Sequence, residues 1–170
     1  MSSTIFTPGS GNSGTGWATP DNIRFYEGAE ATCSIPKNST SNPLTITFDL
    51  SSLPSGTVEG LQINIHCRSQ SSGYVTFTTR FNDGETLSKA TPKAPSATTN
   101  YTLGGPTDLW GETSMSTDRL KNPLAAWSVV ASNAYIGSLI AYIEYITLTV
   151  YYTEGSTTQS STPMLFSFVF

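Results

Sequence analysis

A chain of 170 residues has room for one domain with a hydrophobic core and excludes two well-packed ones. Charged residues make up 12% of it, against roughly 25% in ordinary soluble domains. That composition, rich in Ser, Thr and Asn, disfavours a free-standing cytosolic enzyme and suits strands and surfaces that pack against other subunits. The net charge of −4, carried without a basic cluster, excludes a nucleic-acid partner, because neutralising phosphates takes several Lys or Arg on one face.

Residues 1–16, MSSTIFTPGSGNSGTG, have neither the basic start nor the apolar run of a signal peptide. The expectation is an extended N-terminal arm on a protein made in a cytoplasm. Short strands are expected near Ile23 to Tyr26 and Glu30 to Ile35. Leu44, Ile46, Phe48 and Leu50 alternate with polar residues as a half-buried strand, and Leu61, Ile63, Ile65 and Cys67 repeat the pattern after the loop Ser51 to Gly56. Tyr74 to Phe81 is β-branched and aromatic, and Asn82-Asp83-Gly84 turns it into a returning strand at Thr86 to Ser88.

Pro92, Pro95 and Pro106 mark an irregular stretch, interrupted by a short strand around Tyr101 to Leu103. Leu120 to Ala126 allows one helical turn at most, because Pro123 interrupts it. Trp127 to Ala131 is a strand. In Ile140 to Tyr152, Ile146, Leu148, Val150 and Tyr152 face one way, and Tyr145, Thr147, Thr149 and Tyr151 the other. Aromatics on both faces make it a central or doubly covered strand.

These elements predict an all-β protein: one jelly-roll-like antiparallel sandwich of about eight strands over residues 17–152, flanked by the arm and by 153–170. No segment reaches the roughly 20 apolar residues of a membrane helix. The last 18 residues are a polar linker followed by Met164-Leu165-Phe166-Ser167-Phe168-Val169-Phe170, six of whose seven side chains are large and apolar. As a strand this tail places Met164, Phe166, Phe168 and Phe170 on one face, and Leu165, Ser167 and Val169 on the other. It is a tethered strand suited to an assembly interface.

Signals for chemistry are sparse. The single histidine, His66, lies in the polar phase of its strand, so neither a metal-binding His cluster nor a serine-hydrolase triad has support. Asp21, Glu27, Glu30, Asp83, Glu85, Asp108, Glu112 and Asp118 are scattered, as caps, turns and solvated loops require. No phosphate loop is present, and no catalytic residue, metal or cofactor is expected. Cys33 and Cys67 are expected to be reduced, with Cys67 buried. In Gly104-Gly105-Pro106-Thr107-Asp108-Leu109-Trp110-Gly111, Trp110 is either a plug that anchors a long loop or a stacking platform for a sugar, with Asp108 accepting from its hydroxyls.

Trp17-Ala18-Thr19-Pro20-Asp21-Asn22, the stretch Pro54 to Leu61, the Gly-Gly loop closing on Trp110-Gly111, and Tyr142 to Tyr152 resemble small β-sandwich virion proteins of tailed bacteriophages. The resemblance implies a virion structural protein: a capsid cement or decoration protein that clamps neighbouring shell subunits through its tails. It implies a homotrimer, with the major capsid protein or other virion proteins as partners, located on the virion. The alternative it leaves open is a tail or fibre component that binds host surface carbohydrate.

Overall fold

Alternation of apolar and polar residues runs through the two longest elements of the fold, β6 (Gly56–Ser69) and β12 (Leu139–Glu154). Each turns one apolar row inward. The computed structural model describes residues 1–24, 26 and 28–155. These form a two-sheet antiparallel sandwich of twelve strands with one short helix.

In the seven-stranded sheet, β12 is central, as aromatics on both of its faces require. One edge pairs with β6; the other pairs with β1 (Ser2–Phe6) and β3 (Ala31–Ile35). Further out lie β2 (Trp17–Ala18), against β3, and β9 (Thr99–Gly104) and β10 (Met115–Ser116), both against β6. The five-stranded sheet is built on β11 (Ala126–Asn133). It pairs with β4 (Ser39–Thr40) and β5 (Leu44–Ile46) on one edge and with β7 (Val75–Asn82) on the other; β8 (Thr86–Ala90) closes the β7 side.

The inner faces meet in a continuous core that includes Ile35, Leu61, Ile63, Ile65, Phe77, Phe81, Ile146 and Leu148, all essentially inaccessible. At roughly 1.5–3 kcal/mol per large side chain, this contact is what holds the sheets together.

The differences from sequence expectation are local. Residues 1–16 enter the sandwich: Ser2–Phe6 pairs with Tyr152 to Leu148, and Gly9 N donates to Thr47 O at 2.7 Å. The strand expected near Ile23 to Tyr26 is a 3-10 helix, Pro20–Arg24. Pro20 lacks an N–H and has a helix-ready φ, which favours a helical start, and Ile23 is the buried anchor of that turn. The helical turn comes before Pro123, as α1 (Thr117–Leu120), where the Ser116 hydroxyl accepts from Arg119 N. The Asn82-Asp83-Gly84 hairpin forms as expected, with Gly84 at φ +117° and its N–H donating to Asn82 Oδ1 at 3.1 Å.

Cys33 and Cys67 are free and buried. They lie on β3 and β6, with β12 between them. Two strand spacings, about 9.5 Å, exceed the roughly 7 Å a disulfide spans. Burial pushes both thiols above their usual range, Cys67 further.

Candidate functional site

The outward face of the seven-stranded sheet gathers the polar phases of three neighbouring strands. Gln62, Asn64, His66 and Arg68 of β6 stand opposite Thr149, Thr147, Tyr145 and Tyr142 of β12. On the other side of β6, Thr102 and Asn100 of β9 stand opposite Asn64 and His66. A bulge decides this layout. The register shifts between Ile143 and Tyr145, leaving Glu144 as the extra residue. Without it, the alternation that turns Tyr142 outward would turn Tyr145 into the core.

Three rings meet on this face. Tyr26, 60% exposed on the segment after the 3-10 helix, lies edge-on to His66 at 4.9 Å and to Tyr145 at 5.8 Å, and His66 and Tyr145 are 6.4 Å apart. The chain turns at Gly28, φ +74°, whose N–H donates to Glu144 Oε1 at 3.3 Å. Beside the rings, Arg68 makes a bidentate pair with Glu30, at 2.8 and 2.7 Å. Its guanidinium carbon lies 3.5 Å from the Tyr142 ring centroid. The Glu30 hydrogen bonds raise the Arg68 pKa, and its charge is matched where it stands.

The rest of the face is an uncharged hydrogen-bond network. Thr102 Oγ1 donates to Asn64 Oδ1 at 2.8 Å, Asn64 Nδ2 to Thr147 Oγ1 at 3.4 Å, and Tyr151 OH to Gln62 Oε1 at 3.1 Å. Asn100 and Thr102 are exposed at its margin. This surface offers flat rings beside amide and hydroxyl donors and acceptors with little net charge.

The residues singled out in the sequence are distributed differently. His66 has tyrosine rings for neighbours. Asp83 and Glu112 share Arg119, Asp118 pairs with Lys121, and Asp21 accepts from Asn12 N and Nδ2. Among the described residues, no group of three His, Cys, Asp or Glu side chains gathers as metal ligands would.

Trp110 is 6% exposed, its indole N–H donating to Leu61 O at 3.1 Å and its ring edge-on to Trp127 at 5.9 Å. That is the geometry of a plug, and it leaves no open ring face for a sugar. Asp108 accepts from Trp110 N at 2.8 Å and pairs with Lys89 at 2.6 Å. Burial raises its pKa, and Lys89 with the Trp110 amide outweighs that, so the carboxyl is held below its usual range. The tail residues Met164, Leu165, Phe166, Phe168, Val169 and Phe170 lie outside the described residues.

Against known proteins, no family model and no curated protein matches this chain. Solved structures similar to it include SGBP-B from a complex xyloglucan utilisation locus in Bacteroides uniformis, at 12% identity and TM-score 0.49 over 86% of this chain and 44% of that one. A family 29 carbohydrate-binding module from Piromyces equi is 11% identical at TM-score 0.43, over 88% and 91% of the two chains. A family 61 module in complex with β-1,4-galactotriose is 10% identical at TM-score 0.43, over 86% of each. At these identities the likeness is one of fold.

The virion reading is corrected by these findings, together with its cement role, its capsid partners and its homotrimer. The similar structures include carbohydrate-binding modules where the resemblance implied virion proteins. The motifs that carried the resemblance do architectural work in this sandwich. Trp17 is buried with its N–H on Asn42 O at 2.9 Å, and the Gly-Gly loop closes over Trp110.

Tyr26, Tyr145, Asn64 and Tyr151 were not singled out by sequence as a site. The polar phase of β6 was visible in the alternation; which β12 residues stand beside it is set by a bulge that alternation does not show.

Proposed function

We propose that this protein is a carbohydrate-binding β-sandwich that takes a neutral oligosaccharide on the outward face of its seven-stranded sheet, without catalysing a reaction on it. The carrying observation is the Tyr26, His66 and Tyr145 cluster beside the uncharged Gln62, Asn64, Thr102 and Tyr151 network. A pyranose has an apolar face of C–H groups and a rim of hydroxyls that donate and accept. Tyrosine and imidazole rings suit the first, and fixed amides and hydroxyls suit the second.

Pairing of Arg68 with Glu30 removes the charge that would favour an anionic ligand. The outward face of a sheet suits an extended chain rather than an enclosed small molecule.

Calorimetric titration against neutral oligosaccharides tests the proposal. Tyr26→Ala and Tyr145→Ala should each weaken binding about fivefold, the loss of about 1 kcal/mol of ring contact, with folding intact. Absence of binding across β- and α-linked neutral glycans at millimolar concentration, or full affinity in the double variant, would overturn it.

A further inference from the structure

The outward face of the seven-stranded sheet continues beyond the three rings, onto the first strand of the chain. Thr4 and Phe6 of β1 stand opposite Val150 and Leu148, both inward and inaccessible, so alternation turns Ile5 outward, opposite Thr149. Ile5 is 68% exposed. Tyr151 is its diagonal neighbour across the β1–β12 pair, about 7 Å away, and is itself half-buried. Ile5 and Tyr151 make a second apolar pad on the same face.

One strand sets the distance between the two pads. From Tyr145 to Tyr151 the register of β12 against β6 is unbroken, and that stretch rises about 20 Å. A single pyranose cannot reach across it. Thr147 and Thr149 in between are 6% and 5% exposed, which leaves the half-buried amides of Asn64 and Gln62 as the polar groups presented there. Asn64 Nδ2 donates to Thr147 Oγ1, and Gln62 Nε2 to Asn64 Oδ1, each at 3.4 Å. Each amide nitrogen keeps a second N–H for a ligand hydroxyl.

The same surface is free of charge over four strands. Residues 2–6, 60–66, 99–104 and 145–151 contain no Asp, Glu, Lys or Arg, although such residues make up roughly a quarter of ordinary domains. Charged groups stand at its margins and are already engaged. Arg68 holds Glu30 beside the rings, Glu144 accepts from Gly28 N, and at the far end Glu59 Oε1 accepts from Thr153 Oγ1 at 2.9 Å.

We propose that the ligand is an extended, diequatorially linked neutral oligosaccharide lying along β6 and β12, with one end on the three rings and the other on Ile5 and Tyr151. This rests on the reading of the face as a neutral-glycan site, and it adds the linkage class, the direction of the chain and Ile5 as a contact residue. Diequatorial links keep successive pyranose rings in line, as two pads joined by a straight strand require. Axial links coil the chain off that line.

Calorimetric titration with ladders from cellobiose to cellohexaose and from mannobiose to mannohexaose tests this, with maltohexaose as the axially linked comparison. In at least one ladder, affinity should rise at least about tenfold from disaccharide to hexasaccharide, which is what covering one mostly exposed branched side chain supplies. Ile5→Ser should abolish that rise while leaving the disaccharide affinity and Tm unchanged, because the side chain it removes faces solvent. Equal affinity along both ladders, or an Ile5→Ser protein that matches wild type toward the hexasaccharides, would overturn the proposal. Preference for maltohexaose would overturn it too, and would leave the neutral-glycan reading standing. Failure of every neutral glycan to bind would remove that reading itself and the proposal with it.

Discussion

Replacing Trp110 with alanine separates the anchoring role of this indole from sugar recognition. The ring is 6% exposed and closes the loop that follows β9. Its backbone is left-handed, at φ +59°, a conformation an aromatic residue holds only when its surroundings enforce it. The loop is built around it, since a Cβ on Gly104 would come within 2.0 Å of Leu61 O and 2.6 Å of Trp110 Nε1. Emptying a buried tryptophan site costs about 3–5 kcal/mol. Leu61 O keeps a second donor, Gly105 N at 3.0 Å, so the lost indole hydrogen bond leaves no buried orphan and adds no separate penalty. At about 2–4 °C per kcal/mol for a domain of this size, a loss of about 4 kcal/mol lowers Tm by about 8–16 °C. Differential scanning calorimetry of Trp110→Ala beside Tyr145→Ala reads this directly, with the second variant losing glycan affinity but little stability. A Trp110→Ala protein that melts within about 2 °C of wild type would refute the account of the indole as a structural anchor.

Two further outcomes follow from buried ionisable groups. Hydrogen bonds from Arg119 hold the Asp83 carboxyl below its usual range, outweighing the opposing effect of burial. Its stabilising contribution is therefore present above the ordinary aspartate value of about 4 and is lost as pH falls through the lower folded value. Asp83→Asn should lower Tm at neutral pH and flatten its decline on acidification; parallel Tm-against-pH curves would contradict this. Both thiols are buried, with raised pKa values, so neither should react with Ellman's reagent in the native protein, both should react after denaturation, and reductant should leave Tm unchanged. Rapid labelling of a native thiol would argue against that burial.

Most of the sandwich was legible in the chain. Period-two alternation identified β6 and β12, β-branched and aromatic content identified β7, and Asn82-Asp83-Gly84 identified the β7–β8 hairpin, because these features depend on neighbouring residues alone. The short edge strands were less visible. β1, β2, β4 and β10 run two to five residues, too few for a period to emerge, and they exist because a long partner strand offers them hydrogen bonds. Ile23 to Tyr26 reads as a strand where the chain forms the 3-10 helix Pro20–Arg24, because apolar spacing over four residues does not distinguish the two conformations.

Burial of Trp110 illustrates the division most plainly. A tryptophan in a Gly-rich loop reads as an anchor or as a sugar platform until the position of Leu61 O is known, and that position belongs to a strand 49 residues away in sequence. The candidate face has the same origin. Sequence alone determined that β6 carries a polar row, since alternation fixes which side chains share a side of one strand. Only the tertiary structure decided that Tyr26, His66 and Tyr145 meet, because cross-strand register and the bulge at Glu144 depend on how the sheet as a whole satisfies its hydrogen bonds and buries its apolar rows.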